Sequence, residues 1–126
     1  MVLIDTDVLI WYMRGNRNAY KIVENPRSFS ISVVTYIELI HGMRNKKELT
    51  SLRKALHGWN TKILYLSEEI SAKAMFFVEQ NFLSHSIHLA DALIAATAIT
   101  HGLPILTGND KHYKFMGDVK INKFSP

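Results

Sequence analysis

Apolar positions along the chain follow two alternating patterns. Short runs come first: Val2 to Ile4 is apolar on both faces, as a central parallel strand would be. "FSISVVT" (29–35) alternates and ends in β-branched residues, which predicts a second strand. Ile63 to Leu66, "LPILTG" and "VKINKF" predict a third, fourth and fifth. Between these runs the period changes to that of a helix. "NKKELTSLRKALHGW" carries Leu49, Leu52, Leu56 and Trp59 on one face. Ser67 with Glu68 and Glu69 opens a helix through Ala72, Met75, Phe76 and Glu79. "HLADALIAATAITHG" is a small-residue helix ended by Gly102. Thr35 reads as the cap of a helix whose third residue is Glu38 and which Gly42 ends. Asn16 to Asn18 is turn-like, with a short helix before it and another from Ala19 to Glu24 closed by Pro26; "NDKHYKF" is a short turn or helix.

Strands alternating with helices predict an α/β fold, with a mostly parallel central sheet of four to five strands and helices on both faces. No repeat, linker or low-complexity run interrupts it, so a single domain over residues 1–126 is expected. With 48% hydrophobic and 21% charged residues, the composition is that of a chain with a real core. The absence of cysteine excludes disulfides and thiolate metal sites. Only four apolar residues precede Asp5, with no basic region before them, so a signal peptide is not expected; 89–99 is interrupted by Asp91 and is too short for a membrane span. A cytoplasmic protein is expected. The net charge of +4 favours an anionic partner such as nucleic acid, although Arg44, Lys46, Lys47, Lys111 and Lys114 also read as solvated faces.

Candidate chemistry enters with the acids. Asp5 ends an apolar strand, where an ionised carboxylate is costly unless compensated. Glu38 lies about one turn past the second strand, Asp91 sits early in the small-residue helix, and Asn109 and Asp110 follow the fourth strand just after Thr107. In open α/β sheets ligands bind beyond the carboxyl ends of the strands, so this topology can gather these groups at one rim. Two like charges ~4 Å apart repel by about 4 kcal/mol at an effective dielectric of 20, and an oxygen-only cluster suits a hard cation such as Mg²⁺ or Mn²⁺. Each acid also has a plain structural reading. Glu38 would complete a Thr-x-x-Glu capping box, Asp91 would complement a helix dipole, Asp110 would cap the next helix, and Asp7 would bond locally. His85 and His88 lack an evident partner ligand, and Met75, Phe76 and Phe77 suit a core or a dimer interface.

"LIDTDVLI", "SVVTYIELIHG", "HLADALIAATAITHGLPILTGND" and "HYKF" resemble, in order, the successive motifs of PIN-domain proteins, and most of all the VapC-type toxins of toxin–antitoxin pairs. The resemblance spans nearly the whole chain. It implies a three-layer α/β/α fold and a Mg²⁺- or Mn²⁺-dependent endoribonuclease that hydrolyses RNA with activated water. It puts the metal-holding and catalytic acids at Asp5, Glu38, Asp91 and Asp110, the first three on one ion and Asp110 with Asn109 on a second ion or the attacking water. Thr107, Asn109 and Asp110 match the family's polar cluster, whose fourth acid stands at the Asn109 position or slightly later. Thr6 matches a supporting hydroxyl. A homodimer and a cognate antitoxin that packs in an apolar groove are also implied; Trp11, Tyr12 and Met13 suit that groove or the core. Two rivals stand beside it. "DTDVL" fits a haloacid-dehalogenase phosphatase with Asp5 as nucleophile, though the paired-acid motif is missing. A PIN-like module without turnover is the other. A phosphate-receiver domain would need an acceptor Asp where Ser67 stands.

Overall fold

The computed structural model describes residues 1–24 and 28–126; the expected helix stop at Pro26 lies outside them. Among the described residues five strands, β1 (Leu3–Ile4), β2 (Ser30–Ser32), β3 (Lys62–Leu64), β4 (Ile105–Thr107) and β5 (Ile121–Lys123), form one sheet in the order β3-β2-β1-β4-β5. All adjacent pairs are parallel, with Leu3 opposite both Ser30 and Ile105. The described helices between them are α1 (Thr6–Met13), α2 (Arg17–Val23), α3 (Val33–His41), α4 (Lys46–Gly58), α5 (Glu68–Asn81) and α6 (Leu89–Thr100). A 3-10 turn covers Asp110–His112.

Successive strand residues face opposite sides, and this splits the core in two. Leu3, Leu64 and Ile105 join Ile70, Ala74 and Phe77 of α5 and the buried face of α6. Ile4 and Ile31 join Val8 and Leu9 of α1, Ala19 and Val23 of α2, Leu39 of α3 and Leu52 and Leu56 of α4. The result is three layers, helices over and under one parallel sheet. Helix α6 is buried nearly all round, at Ala92, Ile94, Ala95, Ala96, Thr97 and Ala98, which explains its small residues: its alanines let α5 and the sheet approach closely. On α5 the alternatives separate, since Phe77 is core whereas Met75 and Phe76 face outward. No helix among the described residues is long and apolar enough to cross a membrane.

Two expected helix ends hold, Ser67 capping α5 and Gly42 ending α3, and Asn45 caps α4. Ser67 is thereby occupied, its side chain accepting from Ile70 N. One boundary is overturned. Strand β2 stops at Ser32, whose side chain accepts from Val34 N and caps α3, so Thr35 is not a cap but a fully buried residue inside the helix. Val33 and Val34 favour a strand by propensity; packing of α3 against both core layers outweighs that preference. Glu38, the sixth residue of α3, therefore belongs to no capping box. Smaller shifts put the start of α2 at Arg17 and β3 one residue early, at Lys62–Leu64.

Candidate active site at the switch point of the sheet

The sheet order reverses at β1, whose neighbours are β2 on one side and β4 on the other. A crevice opens at the carboxyl end of such a switch point. Asp5 stands there as the residue between β1 and α1, 5% exposed. Its Oδ1 accepts from Thr6 N at 2.8 Å, which caps α1. Its Oδ2 accepts from Thr107 Oγ1 at 2.8 Å and from Tyr113 OH at 2.9 Å. Burial, and next the charge of Asp7, push the Asp5 carboxyl up to about 6; the hydroxyl and backbone donors oppose that rise.

Around Asp5 the chain converges from three further elements. Thr6 Oγ1 lies 2.7 Å from Glu38 Oε1 and 2.9 Å from Thr35 Oγ1, so the first turn of α1 is tied to α3. Asp91, third residue of α6, has its carboxyl pushed up by burial and by the charges of Glu38 and Asp7, and lowered by His112 and His88. His112 Nδ1 approaches Asp91 Oδ2 at 3.4 Å. Tyr113, fully buried, has its hydroxyl pushed up by burial and then by Asp5, Asp91 and Asp7. Asp5, Asp7, Glu38 and Asp91 thus share one electrostatic neighbourhood.

Asp110 Oδ1 lies 3.7 Å from Lys123 Nζ on β5. Asp110 does not cap the 3-10 turn, because Asn109 occupies the cap position and makes no side-chain cap bond. Asn109 joins the site through its backbone, donating to Thr107 Oγ1 at 2.9 Å. Thr107 therefore bridges β4 to both Asp5 and the loop that follows.

Asp7 corrects the expectation of a local role. Its Oδ2 accepts from Gly108 N at 2.8 Å, and Thr107 Oγ1 lies 3.4 Å from its Oδ1. Burial raises its pKa. Its spacing of two from Asp5 was the available signal; the partner about a hundred residues on was not. Tyr113 was visible only within "HYKF". A Cβ at Gly108 would meet Asp7 Oδ2 at 2.8 Å and Phe124 O at 3.3 Å. The Gly108→Ala variant is therefore expected to displace the Asp7 carboxylate and lose this bond, at a cost of about 1–3 kcal/mol in urea denaturation.

Among the described residues the ion pairs are Arg44–Glu48, His112–Asp91 and Lys123–Asp110, so no cationic side chain neutralises Asp5, Asp7 or Glu38. Nor do any three His, Asp or Glu among them close tightly around one point.

A parallel sheet with acids at its switch point defines a class, and the PIN domain family matches residues 2–117 of this chain. The chain belongs to the PIN-domain family. Within it, the curated relatives carry the VapC name: Ribonuclease VapC10 of Mycobacterium tuberculosis is 33% identical over 95% of this chain and 91% of that protein. Ribonuclease VapC1 of Methanocaldococcus jannaschii is 31% identical over 90% of this chain and 79% of its own length. Among solved structures, a toxin–antitoxin complex from Klebsiella pneumoniae superposes with a TM-score of 0.76 at 28% identity, covering 97% of this chain and 96% of that one.

Proposed function

We propose that this chain is the endoribonuclease toxin of a toxin–antitoxin pair, hydrolysing RNA phosphodiester bonds with the help of Mg²⁺ or Mn²⁺. The observation that carries the reading is that Asp5, Asp7, Glu38 and Asp91 share one charged neighbourhood at the switch point of the sheet, with no ion-pair partner on Asp5, Asp7 or Glu38 among the described residues. The donor set fits a hard cation, because every group is a carboxylate or hydroxyl oxygen. Asp5, Glu38 and Asp91 would hold it, some of them through water, as suits an ion that keeps much of its hydration. When bound, such an ion supplies Lewis acidity towards water and a scissile phosphate.

The remaining steps belong to the chain's own side chains. Thr6 N and Thr107 Oγ1 fix the plane of the Asp5 carboxylate, and Thr6 Oγ1 orients Glu38. Asp110, with Lys123 Nζ 3.7 Å from its Oδ1, and Asn109, whose N–H donates to Thr107 Oγ1, would help to hold a second ion or the attacking water at this end of the site.

The toxin reading also implies a cognate antitoxin. A groove of ≈ 440 Å³ between α1 and α4 includes Leu9, Tyr12, Met13, Leu52 and Trp59 and suits an apolar antitoxin segment. Trp11 instead packs on the core, with Arg14 over its ring at 5.7 Å. Outward-facing Met75 and Phe76 suit the homodimer contact. The whole chain forms one domain under this reading, acting in the cytoplasm.

RNA digestion tests the activity. Purified protein should cut RNA in Mg²⁺ or Mn²⁺, stop when EDTA is added and resume when the ion is restored. Cutting that continues unchanged in EDTA would rule out the cation's role.

A further inference from the structure

Asp5 has four in-plane lone-pair positions, two on each carboxylate oxygen. Two of them, both on Oδ2, are taken by Thr107 Oγ1 at 2.8 Å and Tyr113 OH at 2.9 Å. A third, on Oδ1, is taken by Thr6 N at 2.8 Å. Among the described residues nothing else reaches Oδ1. The two hydroxyls come from different elements, the end of β4 and the residue after the 3-10 turn, and both residues are 0% exposed.

A buried hydroxyl is costly unless paired, and a phenylalanine ring would fill the Tyr113 space equally well. The Tyr113 hydroxyl therefore matters for what it bonds. Three donors from three directions fix the plane of the carboxylate and leave one oxygen incompletely used. We infer that Tyr113 and Thr107 are positioning residues that saturate Oδ2 of Asp5 and so present Oδ1 as its single oxygen available to a divalent cation. This rests on the proposed function, in which Asp5 holds such an ion. It adds a role for Tyr113 and makes Asp5 a one-oxygen ligand. Groups that orient a metal-binding carboxylate typically change metal affinity or activity by about 10–100-fold when removed.

The test titrates Mn²⁺ by calorimetry into the metal-free parent, Asp5→Asn, Tyr113→Phe, Thr107→Val and Thr107→Ser. Thermal unfolding midpoints are measured with and without Mn²⁺. The parent is expected to bind and Asp5→Asn to lose binding. Tyr113→Phe and Thr107→Val should bind roughly tenfold more weakly, while Thr107→Ser, which keeps the hydroxyl, stays within about twofold of the parent. RNA cleavage by Tyr113→Phe should show a lowered kcat with KM for RNA unchanged. A merely structural role would lower the metal-free midpoint of Tyr113→Phe and leave its Mn²⁺ affinity at the parent's value. That result overturns the inference and leaves the nuclease reading standing. A parent that binds no Mn²⁺ overturns both. Should Tyr113→Phe fail to fold, the Thr107→Val and Thr107→Ser pair decides: equal Mn²⁺ affinity in the two overturns the inference.

Discussion

Asp5→Asn is expected to lower RNA cleavage in Mg²⁺ by at least about 100-fold, equivalent to about 2.7 kcal/mol of transition-state stabilisation, while the protein stays folded. The substitution keeps the size and shape of the side chain. It replaces one acceptor oxygen by an amide nitrogen, so either the bond from Thr6 N to Oδ1 or the two acceptor bonds from Thr107 and Tyr113 to Oδ2 are lost. It also removes a buried negative charge that Asp7 repels, so the two effects on stability oppose each other. Activity has no such compensation, because a neutral amide holds a divalent cation far less well than a carboxylate. The measurement is cleavage rate alongside the thermal midpoint. A folded Asp5→Asn protein that cuts at the parent's rate would remove Asp5 from the catalytic group.

Raising the pH is expected to destabilise the metal-free protein through the same residue. The Asp5 carboxyl has an ordinary value of 3.8 and is pushed up to about 6 in the fold, by burial first and Asp7 second. The native state therefore holds a proton that the unfolded chain releases at lower pH. The stabilisation is fully present below the unfolded value, near 3.8, and is lost as pH rises through about 6. Two pKa units correspond to roughly 3 kcal/mol. Asp7 and Asp91 are raised also and act in the same direction. Glu48 is lowered by Arg44 and acts in the opposite sense, its contribution fading as pH falls. Urea midpoints in EDTA at pH 4.5 and 7 measure the sum, and the difference between parent and Asp5→Asn isolates Asp5. The parent should lose more stability over this interval than the variant. Equal losses in the two would mean that Asp5 titrates near its ordinary value.

The layers of the fold were legible because strand and helix periods differ and their boundaries carry chemical marks. Ser67 before two glutamates and Gly42 after an apolar helix are local signals, and both hold. The boundary at Thr35 misled because Val33 and Val34 favour a strand when read alone. Only the packing of α3 against the two core layers makes them helical, with Ser32 as cap. Asp5 stood out from its apolar neighbours, whereas Asp7 looked like a turn residue. Nothing local to Asp7 indicates a bond to Gly108 N. Tyr113 is similar, since its hydroxyl finds its partner 108 positions away.

Asp110 marks the same limit from the other side. Read along the chain, it is an acid after a strand, equivalent to Asp5 or Asp91 in kind. Parallel pairing of β4 with β5 brings Lys123 opposite Thr107, and Asp110 Oδ1 lies 3.7 Å from the ammonium of that lysine, a partner nothing local to Asp110 announces. The order of strands and helices, the apolar faces and the presence of acids at strand ends follow from side-chain types and their spacing, because periodicity, capping and turn chemistry are set over a few residues at a time. Which acids meet, which oxygens are already bonded and which acid is neutralised by a lysine depend on contacts between residues as much as 108 positions apart. Those contacts exist only once the sheet has closed around its switch point.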